Sequence, residues 1–348
     1  MFRVANSMKR VTIILSLFGL LCSPIFAQNL KVGTTNEQEQ DYAAALKDWL
    51  PRAKQGDADY QNVIGNMYES GLGVVNDYNE AAKWYRLSAE QGFADAQFAL
   101  GSLYFFGKGV SQDYKEAANW YQLSANQGNG DAQFILGRMA EEGIGISQGY
   151  DSAVKWYRLA ANQGIAEAQF RLANLFDLGQ GVPQSSQKAA HWFLQAAEQG
   201  LREAQFNLGD LYENGEGVEQ DVNKAIYWFK RAAENGLAAA QNSLGLIYQN
   251  DDVAIQDYKL AKKWFNEAAK NGNSKAHFNL GIMYYNGFGV LQDHVIAHMW
   301  FNIANANGNK IGAFSRDAVT EEMSTTAIEK AQTMARKCMS SGYKKCGY

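Results

Sequence analysis

Apolar and polar positions along this chain follow two periods at once. In the stretch after Gly92, Leu100, Leu103 and Tyr104 recur at helical spacing and can share one face of a helix. Gly107-Lys108-Gly109 then interrupts it, because glycine tolerates the positive φ of a helix end and weakens continuation. A second run, Tyr114 to Ala125, carries Ala117, Ala118, Tyr121 and Ala125, with Asp113 placed to cap it. The longer period is 36 residues, marked by Gly56, Gly92, Gly128, Gly164, Gly200, Gly236, Gly272 and Gly308. These boundaries enclose seven units over residues 56–307, each predicted as helix A, a glycine loop and helix B. Neither helix is long enough to be stable alone, so burial against neighbouring hairpins has to supply the core. The predicted fold class is an all-α solenoid.

Columns at the 36-residue period divide by size. Gly65, Gly101, Gly137, Gly209, Gly245 and Gly281, with Ala173 in the fourth unit, fall inside helix A. A glycine there costs about 1 kcal/mol relative to alanine, so its recurrence implies a crossing too close for a larger side chain. The pairs Ala81-Ala82, Ala117-Ala118 and Ala189-Ala190 suit the same close packing on helix B. Trp84, Trp120, Trp156, Trp192, Trp228, Trp264 and Trp300 form a second column, followed by Tyr85, Tyr121, Tyr157, Phe193, Phe229, Phe265 and Phe301. Both are expected to be core plugs rather than a ligand cage. Gln97, Gln133, Gln169, Gln205 and Gln241, replaced by His277 in the last unit, are expected to hydrogen-bond at the repeat boundaries.

The alanine-x-x-leucine-glycine-x-x-tyrosine core, the Gly-x-Gly-Val loop and the alanine-alanine-x-tryptophan-tyrosine second helix resemble the Sel-one-like repeat family, a relative of the tetratricopeptide repeats. The resemblance covers about residues 56–307, with a related final unit beyond. It implies a right-handed superhelix of antiparallel helix pairs whose concave groove serves as a protein-interaction scaffold, and it does not by itself imply an enzyme. The ends should close the stack. Residues 41–55 are expected to be an N-terminal capping helix with Trp49 in the Tyr85 column and Pro51 bending it. Residues 308–348 are expected to hold a partial repeat around Phe314 to Asp317, a final helix from Ser324 or Thr326 to about Met339, and a tail. Unit six departs from the pattern: Asp251 and Val253 replace the loop glycines, so its hairpin loop should differ.

Helix periodicity then singles out a face of helix A for a partner. Phe98, Phe134, Phe170, Phe206 and Phe278 form one column, with Asn62 and Asn242 in units one and six. Four residues on stand Ser102, Arg138, Asn174, Asp210 and Ile282, and three further on Phe105, Glu141, Asp177, Glu213 and Tyr285. Positions i, i+4 and i+7 point one way. A repeated ring beside variable chemistry suits a surface regular in shape and particular in its contacts, unless the phenylalanines are buried between helices. Tyr60, Phe105, Phe106 and Tyr285 are aromatic anchor candidates if exposed, and the acidic positions favour a partner segment with Lys or Arg.

Composition narrows the compartment and the chemistry. Lys9 and Arg10, the apolar run Val11 to Leu21 and the small residue Ala27 order as a secretory signal peptide over residues 1–27, cut after Ala27, with a polar leader at 28–40. The apolar run is short for a membrane span, and no transmembrane insertion of the mature chain is expected. Without Arg3, Lys9 and Arg10, 29 basic residues face 36 acidic ones. This balance offers no electrostatic footprint for nucleic acid. Cys22 leaves with the signal unless it is lipidated; Cys338 and Cys346 remain for an oxidising compartment, either bridged or as two free thiols. His294 and His298 are one turn apart beside Asp293, a spacing that suits zinc, but no third ligand is evident and a surface or packing role is the plainer reading. No metal, cofactor or catalytic residue is assigned, since phosphate-loop, nucleophile-elbow and zinc-protease patterns do not occur. The expected function is an exported scaffold or adaptor, in the periplasm or secreted, holding a protein or peptide. The alternative is an envelope-associated enzyme acting on cell-wall material or antibiotics.

Overall fold

A computed structural model describes residues 36–250 and 255–346. The signal-peptide reading, most of the leader, and Asp251 and Val253 of unit six lie outside the described residues. The chain is an all-α solenoid of paired helix-turn-helix repeats, with no strand among the described residues. It divides into two compact units that meet in sequence at Pro183 and Gln184. The first holds α1 (Asn36–Lys54), α2 (Ala58–Ser70), α3 (Tyr78–Glu90), α4 (Ala94–Phe106), α5 (Tyr114–Asn126), α6 (Gly130–Glu142), α7 (Tyr150–Asn162) and α8 (Ala166–Leu178). The second holds α9 (Ser186–Glu198), α10 (Arg202–Asn214), α11 (Val222–Glu234), α12 (Ala238–Gln249), α13 (Tyr258–Lys270), α14 (Ser274–Asn286), α15 (His294–Ala306), α16 (Lys310–Thr320) and α17 (Thr325–Ser340). Helix α1 begins at Asn36, ahead of the segment 41–55, and carries Pro51 within it.

Local chemistry sets the helix ends. Asp113 accepts hydrogen bonds from the amides of Lys115 and Glu116 and so caps α5. Gly107 ends α4 in the left-handed region at φ +65°, and its amide donates to the carbonyl of Leu103. Two residues later Gly109, at φ +66°, passes so close to the preceding hairpin that a Cβ there would stand 2.0 Å from the Tyr78 carbonyl oxygen. The second loop glycine therefore serves the stacking of hairpins as well as the turn.

The glycine column meets the second aromatic column. A Cβ on Gly65 would lie 2.7 Å from Tyr85, on Gly137 2.5 Å from Tyr157, and on Gly245 2.4 Å from Phe265. These aromatic side chains are fully or almost fully buried, between helix A and helix B of one hairpin. The tryptophans behave differently. Trp84, Trp120, Trp192 and Trp264 are half-buried, Trp156 and Trp228 are 7% exposed, and only Trp300 is sealed at 1%. Several lie under cations, as Trp156 does with Lys155 Nζ 4.9 Å from its ring centre.

A polar ladder runs through the same core. Gln97 Nε2 donates to the Ala89 carbonyl at 3.1 Å, and its Oε1 accepts from Gln127 Nε2 at 2.8 Å. Gln61 and Gln133 repeat both bonds. Each buried amide thus joins the end of one helix B to the next helix A and to the end of that hairpin's own second helix, as the glutamine column predicts. Where glutamine is replaced, His277 Nε2 takes the bond to the Ala269 carbonyl at 3.1 Å. Its ring stacks at 5.7 Å on Trp300 and lies 4.9 Å from Tyr343. The Tyr343 hydroxyl donates to Asn307 Oδ1 at 2.7 Å, and the Cys338–Cys346 disulfide closes the tail that carries this tyrosine. Helix α17 starts at the Ser324 cap, packs on α15 and buries Ala331, Ala335 and Cys338, which is why Trp300 alone in its column is sealed.

Two outcomes follow from this packing. Gly137→Ala should lower the melting temperature by a few degrees: overpacking against Tyr157 costs about 1–3 kcal/mol, only partly offset by about 1 kcal/mol of helix propensity, and an unchanged melting curve would refute the close-contact account. Burial pushes the His277 imidazole down from 6.5 to about 4, against the opposing effect of its bond to Ala269. The unfolded chain therefore binds the proton first, so this group's stabilisation is complete above 6.5 and lost as pH falls through 4, a loss of the order of 3 kcal/mol. His277→Gln, which restores the ladder residue, should flatten that part of the unfolding free energy measured from pH 7 to pH 4.

Candidate functional site

The helix A face can be built up unit by unit. Phe98, Phe134, Phe206 and Phe278 are half-buried, each tilted against the plug of its own hairpin: Tyr121, Tyr157, Phe229 and Phe301, at 5.5, 5.9, 5.5 and 5.6 Å between ring centres. Phe170 on α8 is half-buried too. The phenylalanine column is thus neither core nor open surface. Within each compact unit these rings are partly covered, four of them by the plug of their own hairpin.

Phe105 is not on this face, contrary to the expectation from spacing. It is 8% exposed, with Phe106 and Tyr114 at 5.1 and 5.0 Å between ring centres and Tyr121 at 6.5 Å. An apolar ring at the end of α4 folds under the start of α5, whereas Glu141 and Glu213 of the same column stay partly open to solvent. Glu141, Glu213 and Tyr285 are accordingly half-buried, although Asp177 is buried.

In the compact unit that ends at Pro183, several candidate side chains are held by neighbouring residues. Arg138 pairs with Glu142 at 3.0 Å. Glu141 accepts a hydrogen bond from the buried Tyr157 hydroxyl at 2.5 Å and lies 3.8 Å from Arg171 on the next helix A. Glu69 accepts from Tyr85 in the same manner at 2.7 Å, and Ser102 from Tyr121 at 3.1 Å. The plug hydroxyls thus reach through the hairpin and orient the polar residues of the face from below. Tyr60 is held by Arg52 of α1, whose Nη1 donates to its hydroxyl at 2.6 Å. Asn174 is half-buried on α8.

The second unit carries Asp210 and Glu213 one turn apart on α10 and Tyr285 on α14. Burial pushes the Glu213 carboxyl up to about 7, and the Asp210 charge adds to the rise. The Tyr285 hydroxyl donates to Glu322 at 3.1 Å while its ring stacks on His294 at 5.3 Å, and His294 Nδ1 lies 3.4 Å from the same carboxylate. This accounts for His294 as a partner of the C-terminal cap. His298 is buried. Among the described residues no group of three or more His, Cys, Asp or Glu side chains is arranged to hold a metal ion.

Sequence reasoning missed Arg171 and Glu322. The signal for Arg171 was present: its column reads Val63, Ala99, Ile135, then Arg171, Asn207, Ser243 and Asn279, a change from apolar to polar within one face. Nothing in the periodicity pointed to Glu322, which lies beyond the last full unit.

Glu213 yields a pH signature. Its folded state holds a proton up to about 7, so its stabilising contribution is complete below 4.5 and fades as pH rises through 7. Glu213→Gln should therefore raise the melting temperature at pH 8 relative to the parent and leave it nearly unchanged at pH 4.5; equal effects at both would show that the carboxyl is not strained by its surroundings.

Residues 58–93, 94–129, 130–165, 166–201, 202–237, 238–273 and 274–309 each match the Sel1 repeat. Among solved structures, the chain is 29% identical to c5321, a protective antigen of uropathogenic Escherichia coli strains displaying an SLR fold, with a TM-score of 0.61 over 87% of this chain and 73% of that one. It is 35% identical to a Sel1 repeat protein from Oxalobacter formigenes, with a TM-score of 0.56 over 66% of this chain and 92% of that one. No curated protein matched. Seven consecutive matches, in register with the glycine, glutamine and aromatic columns that build the hairpins, place this chain in the Sel1 repeat family.

Proposed function

We propose that the chain is an exported scaffold that holds a protein or peptide segment along the helix A face. A Sel1 solenoid is consistent with a protein-binding role in general. The observation that carries the finer reading is the half-buried floor of phenylalanines edged by polar residues that differ from unit to unit. Such a surface offers apolar contact area at low entropic cost, because the rings are already held by the plugs, and leaves selection to the polar edge. Asp210 favours a Lys or Arg of the partner, and binding of such a cation would also favour the ionised form of Glu213 one turn away.

Export is supported by three observations. The N-terminal sequence has the order of a signal peptide. A disulfide closes the tail, as suits an oxidising compartment. The chain is also similar to a protective antigen of Escherichia coli. Among the described residues no helix is long and apolar enough to cross a membrane.

Affinity capture from native envelope and medium, with the parent chain and an Arg138→Ala, Asp210→Ala, Glu213→Ala variant, tests the reading. A reproducible protein partner should be lost from the variant while its circular dichroism and melting curve still report a folded chain. Retention of every partner would remove this face from consideration, and turnover of a cell-wall fragment by the purified chain would favour the enzyme alternative.

A further inference from the structure

The repeat arithmetic leaves one helix A without its second helix. Phe314 stands in the column of Phe278, 36 residues later. Phe278 rests against Phe301 of α15, but α16 has no such companion, because α17 folds back onto α15 rather than along α16. Phe314 is left 77% exposed and Ile311 62%, the highest values for large apolar side chains on any helix among the described residues.

The exposed positions of α16 and its C-cap form one stripe at three- and four-residue spacing: Lys310, Ile311, Phe314, Asp317, Ala318 and Glu321. It is basic at its start, apolar in the middle and acidic at its end. A stripe of that order is complementary to itself when turned end for end. We propose that it is a self-association surface, in which α16 of a second copy lies antiparallel on α16 of the first. Phe314 then packs over the partner's Ala318, and Lys310 faces the partner's Glu321, once on each side of a two-fold axis.

Asp317 argues for this geometry over the other way a second copy could cover the stripe. It occupies the column of Gly281, where even a Cβ would come within 2.5 Å of the Phe301 ring. A carboxylate in that place, held by Arg316 at 2.6 Å, keeps out any helix that approaches as α15 approaches α14. The lone helix α1 of another copy therefore cannot complete an eighth hairpin there. A pairing held off by Phe314, at the ordinary 8–10 Å separation of packed helices, meets no such obstacle.

One helix pair buries less than the ~1,200 Å² typical of a stable complex, so the association should be weak and dependent on protein concentration. Sedimentation equilibrium of the purified chain should show a monomer passing to a dimer, and no larger species, as concentration rises. Phe314→Asp should abolish the dimer without lowering the melting temperature, since the ring is outside the core. Lys310→Glu and Glu321→Lys should each weaken it roughly fivefold or more, and the two together should restore it. A chain that stays monomeric, a dimer indifferent to Phe314→Asp, or a double charge reversal that fails to restore association would overturn the proposal. Growth beyond the dimer that is lost with Trp49→Ala would overturn it in favour of end-to-end stacking through α1.

Discussion

The rest of the structure depends on one contact: the side of helix A that has no side chain, pressed against the flat ring of helix B. Gly65, Gly101, Gly137, Gly209, Gly245 and Gly281 each leave room for an aromatic ring that a single added carbon would crowd. Removing a Cβ from the middle of a helix is unfavourable in isolation. It is stabilising here because it lets a large ring be buried completely, with dispersion contacts on both faces. Since one ring fills each hairpin, the register of helix A against helix B is determined once per repeat; the fourth hairpin, with Ala173 in the glycine column, still buries Phe193 completely, so the column admits the smallest side chain but no larger one is found in it among the seven hairpins.

Polar groups complete the stack. Near the end of each preceding helix B one carbonyl already accepts a backbone amide, and the buried glutamine adds a second, side-chain donor to it, so linking neighbouring hairpins. At the C-terminal end the same position is filled by His277, which makes the same bond but carries a titratable ring into an apolar site. Tyr343, Trp300 and the disulfide-closed tail cover that ring. This part of the last hairpins is therefore sealed by an aromatic and covalent cap.

The candidate face takes its order from the core beneath it. Where the plug is tyrosine, its hydroxyl passes through the hairpin to Glu69, Ser102 or Glu141. Where it is phenylalanine, as at Phe229, the face above carries Asp210 and a Glu213 left to hold its own proton. The proposed function and the proposed self-association use different surfaces, the helix A face of the repeats and the uncovered stripe on α16.

Much of the fold was legible from period alone. The 36-residue spacing of Gly56 to Gly308, the glycine column and the capping aspartates depend on local geometry that each repeat restates, so they predict helices, loops and hairpin pairing without any knowledge of neighbours. Exposure was not legible in the same way. Phe98 and Phe105 look alike in a helical projection, yet one is half-buried and the other is core, because Tyr114 of the next helix closes over the second. The tryptophan and tyrosine columns also look alike, but the ring that packs inside its own hairpin is enclosed in every repeat, whereas the tryptophan is sealed only at Trp300, where the C-terminal cap covers it. The sequence by itself determined which residues repeat and hence which elements form. Only the tertiary structure decided which of them meet solvent and which polar groups meet each other, as with Arg171 and Glu141 or Glu322 and Tyr285, because those contacts join helices whose separation in the chain carries no local signal.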